Sequence, residues 1–187
     1  TEHSRLKFHA DFGEGYWTDH WTYHLDLIEA YLSVYPEMEK HLLFSDKSYT
    51  YYESRAVVRP RHERYVKTER GIRQYHALCE DRKKEDLKET VFTDHGRGTV
   101  YVTNLMTKLA VIAANKTASL DMSGLGIEME GGKPGWYDAL NGLPGLLGSS
   151  MPETFELYRL LKFMESALER FEEGVTVPGE LYDFIKG

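Results

Sequence analysis

SSMPETFELYRLLKFMESALERFEEG, residues 149–174, reads as one long helix. Ser150 followed three residues later by Glu153 forms a capping box, and Gly174 supplies a C-terminal stop. Phe155, Tyr158, Leu161, Met164, Leu168 and Phe171 recur at spacings of three and four and mark one face. Leu157 and Leu160 widen it. A stripe that broad needs neighbours on two sides, which is the pattern of a layered helical array.

Other stretches carry the same period. Trp21, Leu25, Ile28 and Leu32 mark a helix over 18–35, which Pro36 ends before a short helix in PEMEKHLLF. Val102, Leu105, Leu109 and Ile112 predict a third helix over 99–120, and GELYDFIK after Pro178 predicts a fourth short one. The expected fold class is therefore all-α, a helical array with long irregular loops. The stretch from Phe44 to Asp94 is the least readable. Tyr49, Tyr51 and Tyr52 with Val57 and Val58 are compatible with short strands, but their alternation is poor. Arg55 to His76 holds seven Lys or Arg against two acids, and the run EDRKKEDLKE follows. Residues 45–95 thus read as a charged, solvated excursion between helices of one domain spanning 1–187.

Composition narrows the function classes. A chain of 187 residues with 41% hydrophobic content can bury one sizeable core or two small ones. A formal charge of −7 argues against binding nucleic acid through its phosphates, and no apolar run is long enough for a membrane span. Cys79 is the single cysteine and has no zinc-type spacing around it, so a reducing, cytoplasmic setting is expected. Neither end resembles a natural terminus. The expected partners accordingly include the remainder of a parent polypeptide, with a homo-oligomer left open.

Two segments combine aromatics with acids. In GEGYWTDHWTYHLD, residues 13–26, Trp17 and Trp21 flank Asp19, a set suited to sugars because aromatic faces meet C–H groups while a carboxylate accepts hydroxyls. Asp19 is equally explained as a helix-capping acid. His20 and His24 lie four apart, but Trp21 occupies the place where a zincin motif needs glutamate, so no metal is expected. TDHGRGT, residues 93–99, lacks the lysine of a phosphate loop and reads as a helix start eased by Gly96 or Gly98.

The second segment is GGKPGWYDALNGLPGLLG, residues 131–148. Six glycines and two prolines prescribe a bounded loop, and inside it Trp136, Tyr137, Asp138 and Asn141 lie within six residues. Desolvation by the aromatics would keep Asp138 protonated, as the departing oxygen of a glycosidic bond requires; loop amide donors would do the opposite. Both readings stand on composition alone.

GWYDALNG followed by ETFELYRLL resembles the general-acid loop and following helix of the inverting glycoside phosphorylases of the cellobiose and chitobiose phosphorylase type, and more closely their larger β-1,3-glucan relatives. Trp136, Asp138 and Asn141 match that pattern, whereas Gly135, Tyr137, Ala139 and Leu140 depart from it. WTDHWTYHLDLIEAYL resembles the same family's aspartate-containing entry to an inner barrel helix. The resemblance implies an incomplete (α/α)6 barrel, part of a larger catalytic domain, with Asp138 as general acid. It also implies a saccharide pocket shaped by Trp136 and Asn141, with Asp19 holding hydroxyls of the cleaved sugar; Tyr137, Trp17, Trp21 and His20 are candidate sugar contacts from their place beside these acids, not from the resemblance. The implied reaction is phosphorolysis of β-linked glucosyl di- or oligosaccharides with inversion, using inorganic phosphate as co-substrate and no cofactor. Two alternatives stay open: an inverting hydrolase, which needs a second carboxylate about 6.5–9.5 Å away, and a non-catalytic carbohydrate-binding portion of an enzyme.

Overall fold

Residues 18–53, 56–74, 77–80, 90–129 and 148–187 are described by a computed structural model. A 3-10 turn over Thr18–Thr22 leads into α1, Tyr23–Val34, whose Leu25 and Ile28 point into the core. Pro36 cannot donate to the preceding turn, so α1 ends and a 3-10 turn, Pro36–Met38, takes over. A π-turn over His41–Ser45 then delivers Leu43 and Phe44 to the same core.

The third helix is shorter than its period suggests. It is labelled α3, Leu105–Ala118, because one turn of helix, α2, Arg61–Arg64, precedes it in the chain. Asn104 accepts from the Thr107 amide at 2.9 Å and so caps α3 at that point. The residues before it are extended instead: Val100 bridges Phe92 and Thr103 bridges Tyr49. TDHGRGT is consequently the closure of a small hairpin and not a helix start. The Thr93 amide donates to the Thr99 carbonyl at 2.8 Å, and a Cβ on Gly98 would lie 2.1 Å from Thr93 Oγ1, so only glycine fits.

The long helix is α4, Met151–Phe171, and the last one is α5, Gly179–Lys186. Ser150 accepts from the Glu153 amide at 3.4 Å, the first half of the capping box. The second half is missing because the Glu153 side chain is engaged elsewhere. Termination falls at Glu172, left-handed at φ 51°, two residues ahead of Gly174. Leu157, Leu160 and Ala167 are buried, while Phe155 and Tyr158 are 65% and 62% exposed, so only one side of the broad stripe is covered. Leu25, Ile28, Leu43, Met106, Leu109, Leu157 and Leu160 form one cluster, and burying each large side chain contributes about 1.5–3 kcal/mol.

The all-α expectation, and with it the incomplete (α/α)6-barrel array, is corrected by three two-stranded antiparallel ladders. Two are nested within the charged excursion. β1, Ala56–Val58, pairs with β4, Leu78–Glu80, and inside them β2, Tyr65–Thr68, pairs with β3, Gly71–Gln74. The described part of residues 45–95 thus holds ladders where a solvated excursion is expected, and residues 81–89, which carry most of the charged run, lie outside the described residues. The ladders use β-branched residues, although Val57, Val66 and Ile72 stay exposed. The third ladder joins β5, Ile127–Glu128, to β6, Ser149–Ser150, just before α4. Strands of two to four residues are too short to display a period of two, so the sequence pattern does not reveal them. Among the described residues no helix is long and apolar enough to cross a membrane.

Candidate functional site

The β5–β6 ladder determines where the glycine-rich segment is attached. Ile127 faces Ser150 and Glu128 faces Ser149, so the chain leaves at residue 129 and returns at 148 through one narrow base. Trp136, Tyr137, Asp138 and Asn141 lie outside the described residues, as does Trp17. What the structure does describe is the platform from which the segment springs.

One side of that platform is built on Glu153, in the first turn of α4. Its Oε2 accepts from the Trp21 indole Nε1 at 2.9 Å and from Lys116 Nζ, on α3, at 3.2 Å. Lys116 also stands 5.1 Å above the Trp21 ring, so an ammonium, a carboxylate and an aromatic face close on one another. Glu153 is 7% exposed and sits in the first turn of α4. Of the expected saccharide contacts, Trp21 is thus committed in part to a structural bond. His20 stacks at 5.6 Å, tilted, on Tyr23, and Asp19 belongs to the same 3-10 turn.

The other side is built on Glu128, buried in β5. Tyr65, from the nested hairpin, donates its hydroxyl to Glu128 Oε1 at 2.8 Å, and Arg61 Nη2 lies 3.6 Å from Oε2. Arg61 also donates to the carbonyls of Leu120 at 2.8 Å and Ala118 at 3.4 Å, closing the C-terminal end of α3. The basic hairpin is therefore moored to the base of the glycine-rich segment.

A turn completes the platform. Asp121 accepts from the amides of Ser123, Leu125 and Gly126, and its own amide donates to the Gly126 carbonyl at 2.9 Å. Burial pushes the Asp121 carboxyl up, but those three amides and the Arg61 charge prevail and hold it below the usual carboxylate range. Gly126, at φ +151°, passes so close to α4 that a Cβ would lie 2.9 Å from Thr154 Oγ1 and 3.0 Å from Ser149 Cβ. Three acids, Asp121, Glu128 and Glu153, each with its own donors, thus frame the ladder.

No protein-family model, curated protein or solved structure matches the chain. The site has to be read from its own chemistry. The sequence reading passes over Glu128, Lys116, Arg61 and Tyr65 because nothing local marks them; they converge from four separate elements. Asp121 carries a usable signal, since DMSGLG is an aspartate followed by two glycines, the composition of a turn held by an Asx side chain. Glu153 is singled out as a cap, but its tertiary partners are not legible from spacing.

Proposed function

We propose that this chain belongs to the catalytic part of an inverting glycoside phosphorylase and that Asp138 is its proton donor. The observation carrying this reading is that the two stretches bearing the family likeness meet: Trp21 of one donates to Glu153 of the other at 2.9 Å. Independent modules would have no reason to bury that bond. The ladder between Ile127–Glu128 and Ser149–Ser150 supports the reading as well, because it anchors the ends of the acid-bearing segment beside Trp21. A catalytic group on a loop gains its precision from a rigid base of this kind.

In the proposed reaction Asp138 gives its proton to the bridging oxygen as the bond from that oxygen to the anomeric carbon breaks. A phosphate oxygen forms the new bond on the opposite face, and an α-sugar 1-phosphate leaves with inverted configuration. Phosphate brings its own negative charge, so no second carboxylate has to activate a water. The acids Asp121, Glu128 and Glu153 have structural partners and take no part in this scheme.

The test is turnover of cellobiose and laminaribiose with and without inorganic phosphate, followed by phosphorus NMR of the sugar phosphate. Phosphate-dependent product in the native chain, reduced about 10²- to 10⁴-fold in Asp138→Asn, is the expected result. Phosphate-independent cleavage would identify a hydrolase instead. Unchanged turnover in Asp138→Asn would remove Asp138 from the mechanism altogether.

A further inference from the structure

Between α1 and α3 lies an open cleft of about 410 Å³, with Tyr49 also in its lining. His24, Leu27 and Tyr31 line it from α1, and Lys108 and Ile112 from α3. Its volume falls within the roughly 300–1,000 Å³ of small-molecule sites, and its walls follow the same rule, apolar with a few polar groups. The α1 wall from His24 to Tyr31 runs two helical turns, about 10 Å.

Lys108 is the unusual member. Its Nζ donates to the Thr50 carbonyl at 2.5 Å and sits 4.8 Å from the Tyr51 ring centroid, yet no carboxylate among the described residues pairs with it. A half-buried ammonium whose partners are a neutral carbonyl and a ring is incompletely compensated. His24 lines the same cleft, near enough for the Lys108 charge to act on it. Burial lowers the pKa of both groups, and for His24 the Lys108 charge lowers it further. An anion would supply the charge that Lys108 lacks, with His24 lining the same cleft.

We propose that this cleft binds a small amphiphilic carboxylate, its head at Lys108 and His24 and its hydrocarbon body along Leu27 and Ile112. A saccharide is a poor match, because the lining offers too few hydrogen-bonding groups for its many hydroxyls. A bare inorganic anion is no better, since it would exchange hydration for leucine and isoleucine side chains. The inference is separate from the phosphorylase reading and stands or falls without it.

Calorimetric titration with octanoate, octan-1-ol and inorganic phosphate tests it. Octanoate is expected to bind saturably and about tenfold or more tighter than the alcohol, with no binding of phosphate at the cleft. Lys108→Met keeps the apolar stem and should weaken octanoate to the level of the alcohol. Leu27 is 68% exposed, so Leu27→Asp leaves the core intact and should weaken octanoate by opposing its charge, even if the lysine variant does not fold. The proposal is overturned if octanoate does not bind, if octan-1-ol binds as tightly, or if Leu27→Asp binds octanoate like the native chain.

Discussion

The Trp21 indole and the Glu153 carboxylate, separated by 132 positions, meet at 2.9 Å and share that carboxylate with Lys116. The bond joins the start of α1 to the start of α4, and Glu153 is buried, so its loss cannot be made good by water. Trp21→Phe keeps an aromatic ring but removes the indole donor together with the pyrrole half of the side chain, and is expected to lower stability by about 2 kcal/mol. Glu153→Leu withdraws the carboxylate from both donors and should cost more, about 3 kcal/mol. Urea unfolding of the two single variants and the double variant checks this. Additive losses would show that the two side chains are not coupled.

The Gly126 backbone adopts φ +151° against two side-chain atoms of the ladder and of α4, whereas Gly124, at φ +70°, has open space where a Cβ would go. Both alanine variants incur backbone strain, about 1–2 kcal/mol for the left-handed position. Only Gly126→Ala adds a collision with Ser149 Cβ, which cannot move without disturbing the β5–β6 pairing. Gly126→Ala should therefore be the more destabilising by about 1 kcal/mol or more. Equal unfolding midpoints for the two would contradict the close approach.

Legibility varies with the range over which each feature is determined. α4 and α5 can be read in sequence because their starts are local: Ser150 for the first and Pro178 for the second. The third helix begins at Leu105 and not near residue 99, because Tyr49, 54 positions earlier, draws Thr103 into a bridge. Asn104 is a local signal for that start, but the bridge partner Tyr49 is not. The β1–β4 ladder that encloses the nested hairpin is hidden for a related reason. Val57 and Val58 are adjacent, so they point to opposite faces and show no one-sided pattern, and their partners Cys79 and Leu78 lie about twenty residues on. Of the candidate site, the glycine-rich segment and its acid are legible as local composition. The platform beneath it, from Arg61, Tyr65, Lys116 and Glu128, exists only once the chain has folded.

Asp121 should make stability depend on acid. Its folded pKa is depressed below the ordinary 3.8, so the folded state binds that proton less readily than the unfolded chain. Its contribution is then complete above that ordinary value and lost as pH falls through the lower folded one. In Asp121→Asn the neutral side chain cannot serve the same three amides equally, and the variant is less stable at neutral pH. The difference from the native chain should shrink as pH drops from 5 towards 2, as urea midpoints across that range will show. A constant difference would mean that the charge on Asp121 does not matter to the turn.

Tyr51 presents the opposite case, a polar atom that the described residues do not satisfy. Its hydroxyl is buried with no hydrogen-bond partner among the described residues, while its ring lies between Tyr101, at 5.8 Å, and Lys108. Burial, aided by the neighbouring Tyr101, pushes the phenol up to about 12. Because the folded value exceeds the unfolded one, the neutral phenol is favoured by folding, and that advantage is lost as pH rises from the ordinary value of 10 through 12. Spectrophotometric titration should therefore show late tyrosine ionisation, and Tyr51→Phe should remove its share from the end of the curve. Phenylalanine keeps the ring contacts and discards an unsatisfied oxygen, so the variant should be as stable as the native chain at neutral pH or more stable by about 1 kcal/mol. A clear loss of stability in Tyr51→Phe would mean that the hydroxyl has a partner that matters to the fold.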